Sequence, residues 1–270
     1  MPPAFYRQLT PGRFLATPAT AGPWDPSHQH GGPPAALLAR AIELTRPRPD
    51  RYLARITLDI LGPLPLGDLD VAAHLVRPGR SVELLEAEIT AHGRPVMRAN
   101  AWRIRAAPPD LPSRGVESSS PESPDSPVPG PEGFPTAEVD AQRAPSWASG
   151  YVGSIEWRFV SGHFLLPGPC VAWTKMRVPL VEDEEPTPLQ RTLVVADSGN
   201  GLSNVLDIRS WLFVNPDLSV HLARLPQGEW ICVDAATTIP EGGVGLARST
   251  LSDERGPFGY GAQSLLVAAR

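Results

Sequence analysis

The chain has 270 residues, of which 41% are hydrophobic and 20% are charged, and its formal net charge is −5. These values are typical of a globular protein with one large domain or two ordinary ones, and the negative charge argues against a general affinity for nucleic acid or anionic membranes. No apolar run approaches the ~18 residues that a membrane span requires, and the first residues lack the apolar core of a signal peptide. We therefore expect a cytoplasmic protein with no nucleic-acid and no membrane partner.

The first half of the chain is predicted to contain a strand, a helix and then four more strands. Pro33 and Pro34 fit the start of a helix that covers residues 35–44, and this helix is apolar on nearly every side. A helix of that kind should be enclosed by a sheet. The strands are predicted at residues 14–24, 52–61, 69–77, 82–91 and 95–105.

The composition changes sharply after the last of these strands. Residues 107–135 contain nine prolines, a Ser119-Ser120 pair and Glu-Ser and Asp-Ser repeats, which cannot build a hydrophobic core. We predict a disordered or extended linker here. The resulting division places one domain at 1–106, the linker at 107–145 and a second domain at 146–270.

The second half is predicted to repeat the first, with a helix at residues 187–197. Gly67 aligns with Gly228, and Asn100 aligns with Gln263 in the last strand of each half. Such a duplication predicts an α+β double hotdog, in which two central helices are each wrapped by a long antiparallel sheet and the chain is a dimer fused head to tail. The strands of this half are predicted at 153–160, 171–180, 211–225, 229–238, 244–251 and 258–267.

Asp197 is the first candidate for chemistry. It follows an apolar run at the end of the second predicted helix, before Gly199 and Gly201, which can take the positive φ that closes a helix. A carboxylate that close to an apolar face should be partly buried, so it needs hydrogen-bond partners or becomes a base with a shifted pKa. The alternative is an exposed aspartate in the last helical turn.

Gln263 is the second candidate, because it is an amide inside an apolar strand. If it points inward it needs a partner, and the helix-borne Asp197 is a suitable one. Together an amide and a carboxylate can hold a water molecule and accept its proton as it attacks a substrate. The alternative is an amide that faces solvent.

The triplet His30-Gly31-Gly32 precedes the first helix and offers bare backbone N–H groups at the positive end of its dipole. Such groups suit an oxygen that gains negative charge, for example a thioester carbonyl under attack. The alternative is a plain turn from loop to helix. Similar triplets occur in lipases, but the chain has no G-x-S-x-G motif, which excludes a serine hydrolase of that type.

Two further motifs have weaker implications. Arg77-Pro78-Gly79-Arg80 is a tight basic turn that suits the phosphates of a CoA carrier, unless it is an ordinary hairpin tip. His28-x-His30 suggests a metal, but no further cluster completes a site by spacing. Cys170 and Cys232 lie in strand-like runs and fit buried thiols of a reducing compartment. We expect no metal and no cofactor.

As a set, these motifs resemble the acyl-CoA thioesterase II-like group of double-hotdog thioesterases. The resemblance covers both halves and omits the linker. It rests on the stretches GPWDPSHQHGGPPAALLARA, VRPGRSVELLEAEI, PLVEDEEPTPLQRTLVVADSGNG, NPDLSVHLARLPQGEW and GYGAQSLLV.

The resemblance implies hydrolysis of a fatty-acyl-type CoA thioester by a water molecule that three side chains hold. Two of them correspond to Asp197 and Gln263. The third is a hydroxyl residue in the family, and its position falls on Asn215, with Ser219 four residues on as a substitute. The first half has Glu43 and Asn100 at the corresponding places, so we infer one working and one degenerate site. The partner is acyl-CoA, and hotdog pairs often assemble further into homo-oligomers.

Two alternatives stay open at this point. The spacing of Asp25 and His30 occurs in hotdog enoyl-CoA hydratases and dehydratases, although Trp24 replaces the usual glycine here. A non-catalytic acyl-CoA-binding protein is the other alternative, in which Asn215 marks lost chemistry.

Overall fold

A computed structural model describes residues 2–108, 128–138 and 145–270, which form four α-helices, two short 3₁₀ helices and thirteen strands. The helices are α1 Gly32–Leu44, α2 Pro145–Ser149, α3 Pro188–Ala196 and α4 Gly199–Leu202, and the 3₁₀ helices are Pro18–Thr20 and Pro131–Gly133. The strands are β1 Tyr6–Thr10, β2 Arg13–Ala16, β3 Arg51–Ile60, β4 Gly67–Arg77, β5 Val82–Ala91, β6 Arg94–Arg105, β7 Ile155–His163, β8 Leu166–Met176, β9 Trp211–Val214, β10 Asp217–Leu222, β11 Ile231–Thr238, β12 Gly245–Asp253 and β13 Gly256–Ala269.

All described strands belong to one antiparallel sheet in the order β1-β2-β4-β5-β6-β3-β10-β13-β12-β11-β8-β7, with β9 paired to the end of β13. The two halves of the chain meet at the pair β3–β10, where Thr57 lies opposite Ser219. Each half therefore contributes one continuous part of the sheet, as the repeat predicts.

The helices α1 and α3 lie side by side and antiparallel in the interior. At one end of the pair, Gly32 of α1 lies against the backbone of Val194 in α3. At the other end, Glu43 of α1 accepts hydrogen bonds from Thr187 and Gln190 at the start of α3. The helix α1 packs on β4, β5 and β6, and α3 packs on β8 and β11. This arrangement confirms the predicted double hotdog.

The register of the sheet corrects one equivalence between the halves. Ser219 lies opposite both Thr57 and Ala262, and Thr57 in turn lies opposite Asn100. Asn100 therefore corresponds to Ala262. The residue of the first half at the place of Gln263 is the next one along β6, Ala101, which is fully buried. The predicted pairing of Asn100 with Gln263 is wrong by one residue, and one residue in a strand reverses the face.

Several predicted boundaries are also wrong. The proposed strand 14–24 ends at Ala16 and continues as the 3₁₀ helix Pro18–Thr20, while β1 was not predicted. The proposed strand 211–225 is divided into β9 and β10 by Asn215 and Pro216. Proline has no N–H to give to a ladder, which is consistent with a break at this point.

The end of the predicted linker is bound to the second half of the sheet. The indole Nε1 of Trp173 donates to the carbonyl of Pro129 at 2.7 Å, and the backbone N–H of Ala137 donates to the carbonyl of Trp157 at 2.7 Å. The stretch 128–138 is thus extended along β7 and β8 rather than disordered. Residues 109–127 and 139–144 of the proposed linker lie outside the described residues.

Cys170 and Cys232 are buried and unpaired, as expected from their strand-like surroundings. In the described part of the chain, no helix is both long and apolar enough to cross a membrane.

Candidate active site

Asp197 lies where α3 ends, and the local sequence explains its position. Thr187 caps the helix start and forms a capping box with Gln190, and Pro188 occupies the first turn. The helix then runs through seven buried residues to Asp197, which is its C-terminal cap and is 5% exposed. The helix thus ends within one residue of the predicted 187–197, but Gly199 starts α4 and neither Gly199 nor Gly201 has positive φ, so the role predicted for these glycines is wrong.

The carboxylate of Asp197 is bound by donors from three different parts of the fold. Asn215, between β9 and β10, donates from Nδ2 to Oδ1 at 2.8 Å. Gln263 of β13 donates from Nε2 to the same oxygen at 3.1 Å. The backbone N–H of Gly31, at the start of α1, also donates to the carboxylate. The site therefore lies where both halves of the chain meet.

Gln263 is held in one orientation by its other contacts. Its Oε1 accepts from the backbone N–H of Asn200 at 3.1 Å, and its Nε2 also reaches the carbonyl of Asp197 at 3.1 Å. The side chain is 2% exposed, so the inward alternative is correct. A Cβ at Gly199 would lie 2.9 Å from Oε1 of Gln263, so a glycine is required there for close approach rather than for positive φ.

Gly31 and Gly32 are required because the start of α1 abuts the end of α3. A Cβ at Gly31 would lie 2.6 Å from Oδ2 of Asp197, and a Cβ at Gly32 would lie 2.0 Å from the carbonyl oxygen of Val194. Their N–H groups are not free. Gly31 donates to Asp197, and Gly32 donates to Nδ1 of His30 at 3.0 Å. In this structure the two amides bind the protein's own side chains and are not open to a substrate oxygen.

His30 is a buried neutral imidazole. Burial lowers its pKa to about 3, and its ring stacks on Tyr151 with centroids 3.7 Å apart and planes at 5°. Nδ1 lies 3.5 Å from Oδ2 of Asp197, but a neutral ring makes no ion pair there. Because Nδ1 accepts the Gly32 N–H, we assign the ring proton to Nε2. No hydrogen bond joins Nε2 to another described residue.

Burial also controls the ionisation of Asp197. It raises the pKa of the carboxyl to about 7, against the opposing effect of the hydrogen bonds from Asn215, Gln263 and Gly31. A carboxyl with such a pKa is partly ionised near neutrality and is well matched to general-base work. Strongly shifted groups of this type mark functional sites.

A pocket lined by several aromatic side chains lies beside this cluster and has a volume of about 60 Å³. His30 and Ser198 form its boundary with the Asp197 site. The hydroxyl of Tyr151 donates to the carbonyl of Val194 at 2.9 Å and contacts Oγ of Ser198 at 2.7 Å, which fixes the wall that His30 stacks on. Burial raises the pKa of Tyr151 well above its usual value, so this phenol is neutral.

The pair proposed for a hydratase is not assembled. The Asp25 side chain is half exposed and binds Ser27 and Nδ1 of His28, at 2.6 and 3.0 Å. His30 faces Asp197 instead. Within 2–108, 128–138 and 145–270, no group of three or more His, Cys, Asp or Glu side chains forms a metal site.

Three other predicted residues lie away from Asp197. The hydroxyl of Ser219 is 3.4 Å from that of Thr57 at the junction of the halves.

Arg77 and Arg80 lie in the β4–β5 turn, whose carbonyls accept from Arg51. Through Glu83, Arg51 is linked to Arg103, which donates to the carbonyl of Thr45, just past the end of α1. The turn is thus at the opposite end of α1, roughly 20 Å from Gly32 for a helix of this length, and its binding of phosphate stays a prediction.

The counterpart of the Asp197 site in the other half is centred on Glu43. Both carboxylate oxygens of Glu43 accept from the hydroxyl of Thr187, at 3.0 and 2.9 Å, and one accepts from Gln190 at 2.8 Å. Burial raises the pKa of Glu43. With Ala101 in the place of Gln263, the amide at Glu43 comes from Gln190 in the first turn of α3 and not from the last strand of this half, and these side chains cap α3.

Three site residues were missed by sequence reasoning: Tyr151, Ser198 and Asn200. Ser198 and Asn200 lie on either side of Gly199. The sequence pattern at this point indicates a helix end at the glycines and gives no separate signal for the two polar side chains. Tyr151 lies 46 residues before Asp197 in the chain, and only its apolar neighbourhood after the linker is visible in the sequence.

Comparison with known proteins bears on both halves. Residues 20–104 match the family described as acyl-CoA thioesterase N-terminal domain, and residues 126–267 match the acyl-CoA thioesterase C-terminal domain. No curated protein sequence matches the chain significantly.

Solved structures with the same fold cover nearly the whole chain. A hot dog fold protein of unknown function from Alicyclobacillus acidocaldarius has a TM-score of 0.73 at 15% identity and covers 97% of this chain and 96% of its own. The acyl-CoA thioesterase II TesB2 from Mycobacterium marinum has a TM-score of 0.64 at 14% identity, with 98% and 95% covered. The tesB protein of Mycobacterium avium subs paratuberculosis has a TM-score of 0.63 at 14% identity, with 97% and 95% covered.

Proposed function

Because the chain belongs to the acyl-CoA thioesterase family through both of its halves and is therefore a thioester hydrolase, we propose that it hydrolyses an acyl-CoA thioester with Asp197 as the general base. The observation that carries this proposal is the burial of one carboxylate, with a pKa of about 7, among three convergent donors. A base of this kind contributes about 10²–10⁴-fold to a rate.

The proposed reaction is a direct attack by water. The water oxygen forms a bond to the thioester carbonyl carbon while Asp197 accepts one of its protons. When the C–S bond breaks, the sulfur takes the electron pair, and the proton on Asp197 passes to it. The products are a carboxylic acid and the free thiol of CoA, and the carboxylate is restored. No covalent enzyme intermediate is needed.

Gln263 and Asn215 orient the base in this scheme. Both donate to Oδ1 of Asp197, so its other oxygen is the one that receives the proton. The two amides come from β13 and from the break between β9 and β10, elements fixed by sheet pairing. Asn215 replaces a hydroxyl residue of the family and keeps the contact, which favours an active enzyme over a non-catalytic binder.

His30 is the group that we propose to polarise the thioester carbonyl. Its ring is neutral, Nδ1 is occupied by the Gly32 N–H, and the Nε2 proton is available at the wall of the adjacent pocket. A donor held rigidly where charge develops stabilises the transition state without reorganisation. This role replaces the one predicted for the amides of Gly31 and Gly32.

Release of free CoA thiol, followed with a disulfide dye, tests the proposal. We expect turnover of at least one acyl-CoA by the wild type and a loss of about 10²-fold or more for Asp197→Asn. Asp234→Asn is the matched control, because burial also raises the pKa of Asp234 but this residue lies in β11 outside the Asp197 cluster. Equal turnover by Asp197→Asn would refute the assignment of the base, and binding of acyl-CoA esters without thiol release would favour the non-catalytic binder.

A further inference from the structure

The pocket beside Asp197 is walled by aromatic rings. Its lining includes His30 and Ser198, which neighbour the carboxylate. If the thioester carbonyl binds at His30, this pocket is therefore the nearest apolar surface for the acyl chain attached to that carbonyl. The aromatic side chains that line it are Trp24, Trp147, Tyr151, Trp157, Phe164 and Phe213.

The pocket is small. Its volume of about 60 Å³ is less than half of the roughly 150 Å³ of a cavity that binds benzene. By proportion to the six carbons of benzene, it encloses about two to three carbon atoms beyond the carbonyl in its present form. An octanoyl or palmitoyl chain does not fit without movement of the walls.

The inner wall is fixed by hydrogen bonds as well as by packing. Trp157 is 1% exposed, and its Nε1 donates to the carbonyl of Val152 at 2.9 Å. Its ring meets Phe164 edge-on with centroids 5.0 Å apart and Tyr151 edge-on at 6.3 Å. Well-packed interiors of this kind yield little space. The wall therefore limits the length of a bound chain.

The lining is also uncharged. None of the described residues that line the pocket is Asp, Glu, Lys or Arg, and the polar side chains in the lining are His30, Ser198, Asn200 and Asn204. Arg270 lies over the ring of the lining residue Trp24, 5.6 Å from its centroid. Burying a carboxylate without a cationic partner is costly. A dicarboxylic acyl group such as succinyl is disfavoured here, even though its length is that of butyryl.

From these observations we propose that the acyl group is short and uncharged, from acetyl to butyryl, and that the aromatic pocket excludes chains of eight carbons or more. This inference rests on the proposed thioesterase function. It revises the expectation of a fatty-acyl-type substrate.

The first test is a panel of acetyl-, butyryl-, succinyl-, octanoyl- and palmitoyl-CoA, assayed by thiol release with the wild type. We expect kcat/KM for butyryl-CoA to exceed those for the octanoyl, palmitoyl and succinyl esters by at least about tenfold. Equal or greater kcat/KM for octanoyl- or palmitoyl-CoA overturns the size limit while leaving the thioesterase intact. Equal kcat/KM for succinyl-CoA overturns the requirement for an uncharged chain. Absence of turnover with every ester instead refutes the proposed function and, with it, this inference.

Two substitutions change the pocket in opposite directions. Trp147→Ala removes a half-buried wall residue, and we expect it to raise the ratio of octanoyl to butyryl kcat/KM about tenfold or more. Trp230→Ala is the matched control, since this tryptophan lies between Arg158 and Lys175, outside the pocket, and should leave the ratio unchanged.

Gly201→Ala is the opposite change. A Cβ at Gly201 meets no atom within 4 Å, so the substitution does not clash, yet Gly201 lines the pocket and an added methyl group reduces its volume. We expect a selective loss of butyryl relative to acetyl turnover. An unchanged chain-length profile in both Trp147→Ala and Gly201→Ala, with melting temperatures near that of the wild type, would show that the acyl group binds elsewhere.

Discussion

Nδ2 of Asn215 lies 2.8 Å from Oδ1 of Asp197, although β9 and β10, the strands on either side of Asn215, pair with different segments of β13. The contact exists because the chain breaks at Asn215 and Pro216, which frees the asparagine from strand alternation. A second hydrogen bond, from Nδ2 to the carbonyl of Asp217 at 3.0 Å, fixes the amide. The hydrogen bond to the proposed general base Asp197 thus depends on a turn that interrupts a sheet.

Substitution of Asn215 should shift the ionisation of the base. Among the hydrogen bonds that lower the pKa of Asp197, the one from Asn215 ranks first, so Asn215→Leu should move the acid limb of the rate profile to higher pH. Hydrogen bonds to charged groups contribute about 1.5–3 kcal/mol, so we expect a loss of about tenfold or more in kcat/KM. Asn215→Thr, which restores a hydroxyl donor, should lose less. An acid limb that stays in place in Asn215→Leu would contradict this account.

Gly32→Ala should destabilise the whole fold, because its Cβ would lie 2.0 Å from the carbonyl oxygen of Val194. Forcing α1 and α3 apart is an overpacking change, which typically costs about 1–3 kcal/mol. Gly62→Ala is the control, since a Cβ there meets nothing within 4 Å. Chemical denaturation measures the unfolding free energy of the Gly32→Ala and Gly62→Ala variants. Equal midpoints would show that the helices are not in close contact at Gly32.

Glu43→Gln should preserve activity. Glu43 caps the start of α3 through Thr187 and Gln190 and lies in the half that has Ala101 in place of Gln263. We expect kcat per chain equal to that of the wild type and a decrease in unfolding free energy of about 1 kcal/mol, the usual size of a hydrogen-bond contribution. Loss of half the activity or more, in folded protein, would show that this half also catalyses.

Asp197→Asn should stabilise the protein at alkaline pH. The pKa of Asp197 is about 7 in the folded state and near 3.8 when unperturbed. Between these values the unfolded chain has already lost the proton that the folded chain keeps, so the wild type loses stability as pH rises. The asparagine variant does not titrate. Its advantage in unfolding free energy should grow from near zero at pH 4 to at most about 4 kcal/mol above pH 7. A difference that does not change with pH would contradict the shifted pKa.

The local parts of the site were predictable from sequence. Thr187, the apolar turns of α3 and the position of Asp197 follow from short-range patterns, and the inward-facing Gln263 follows from strand alternation. The glycines Gly31 and Gly32 were correctly singled out, although for backbone amides rather than for the close approach of α1 to α3. That approach depends on how two helices that start 156 residues apart meet, which no local pattern encodes.

The parts that sequence missed depend on register and on contacts distant in sequence. The equivalence of Asn100 with Gln263 is wrong because a strand shifted by one residue presents the other face. Tyr151, which stacks on His30, comes from a loop on the other side of the linker. The break at Pro216 could have been inferred, since proline interrupts a central ladder.

The pH dependence of kcat/KM between pH 5 and pH 9, measured by thiol release for the best acyl-CoA substrate, tests the central claim most directly. If Asp197 is the base in the free enzyme, kcat/KM rises about tenfold per pH unit at the acid end and levels off with an apparent pKa near 7. His30, with a pKa of about 3, stays neutral throughout and adds no limb in this range. A profile that is flat from pH 5 to pH 9 would show that no buried carboxyl of this kind accepts the proton of the attacking water.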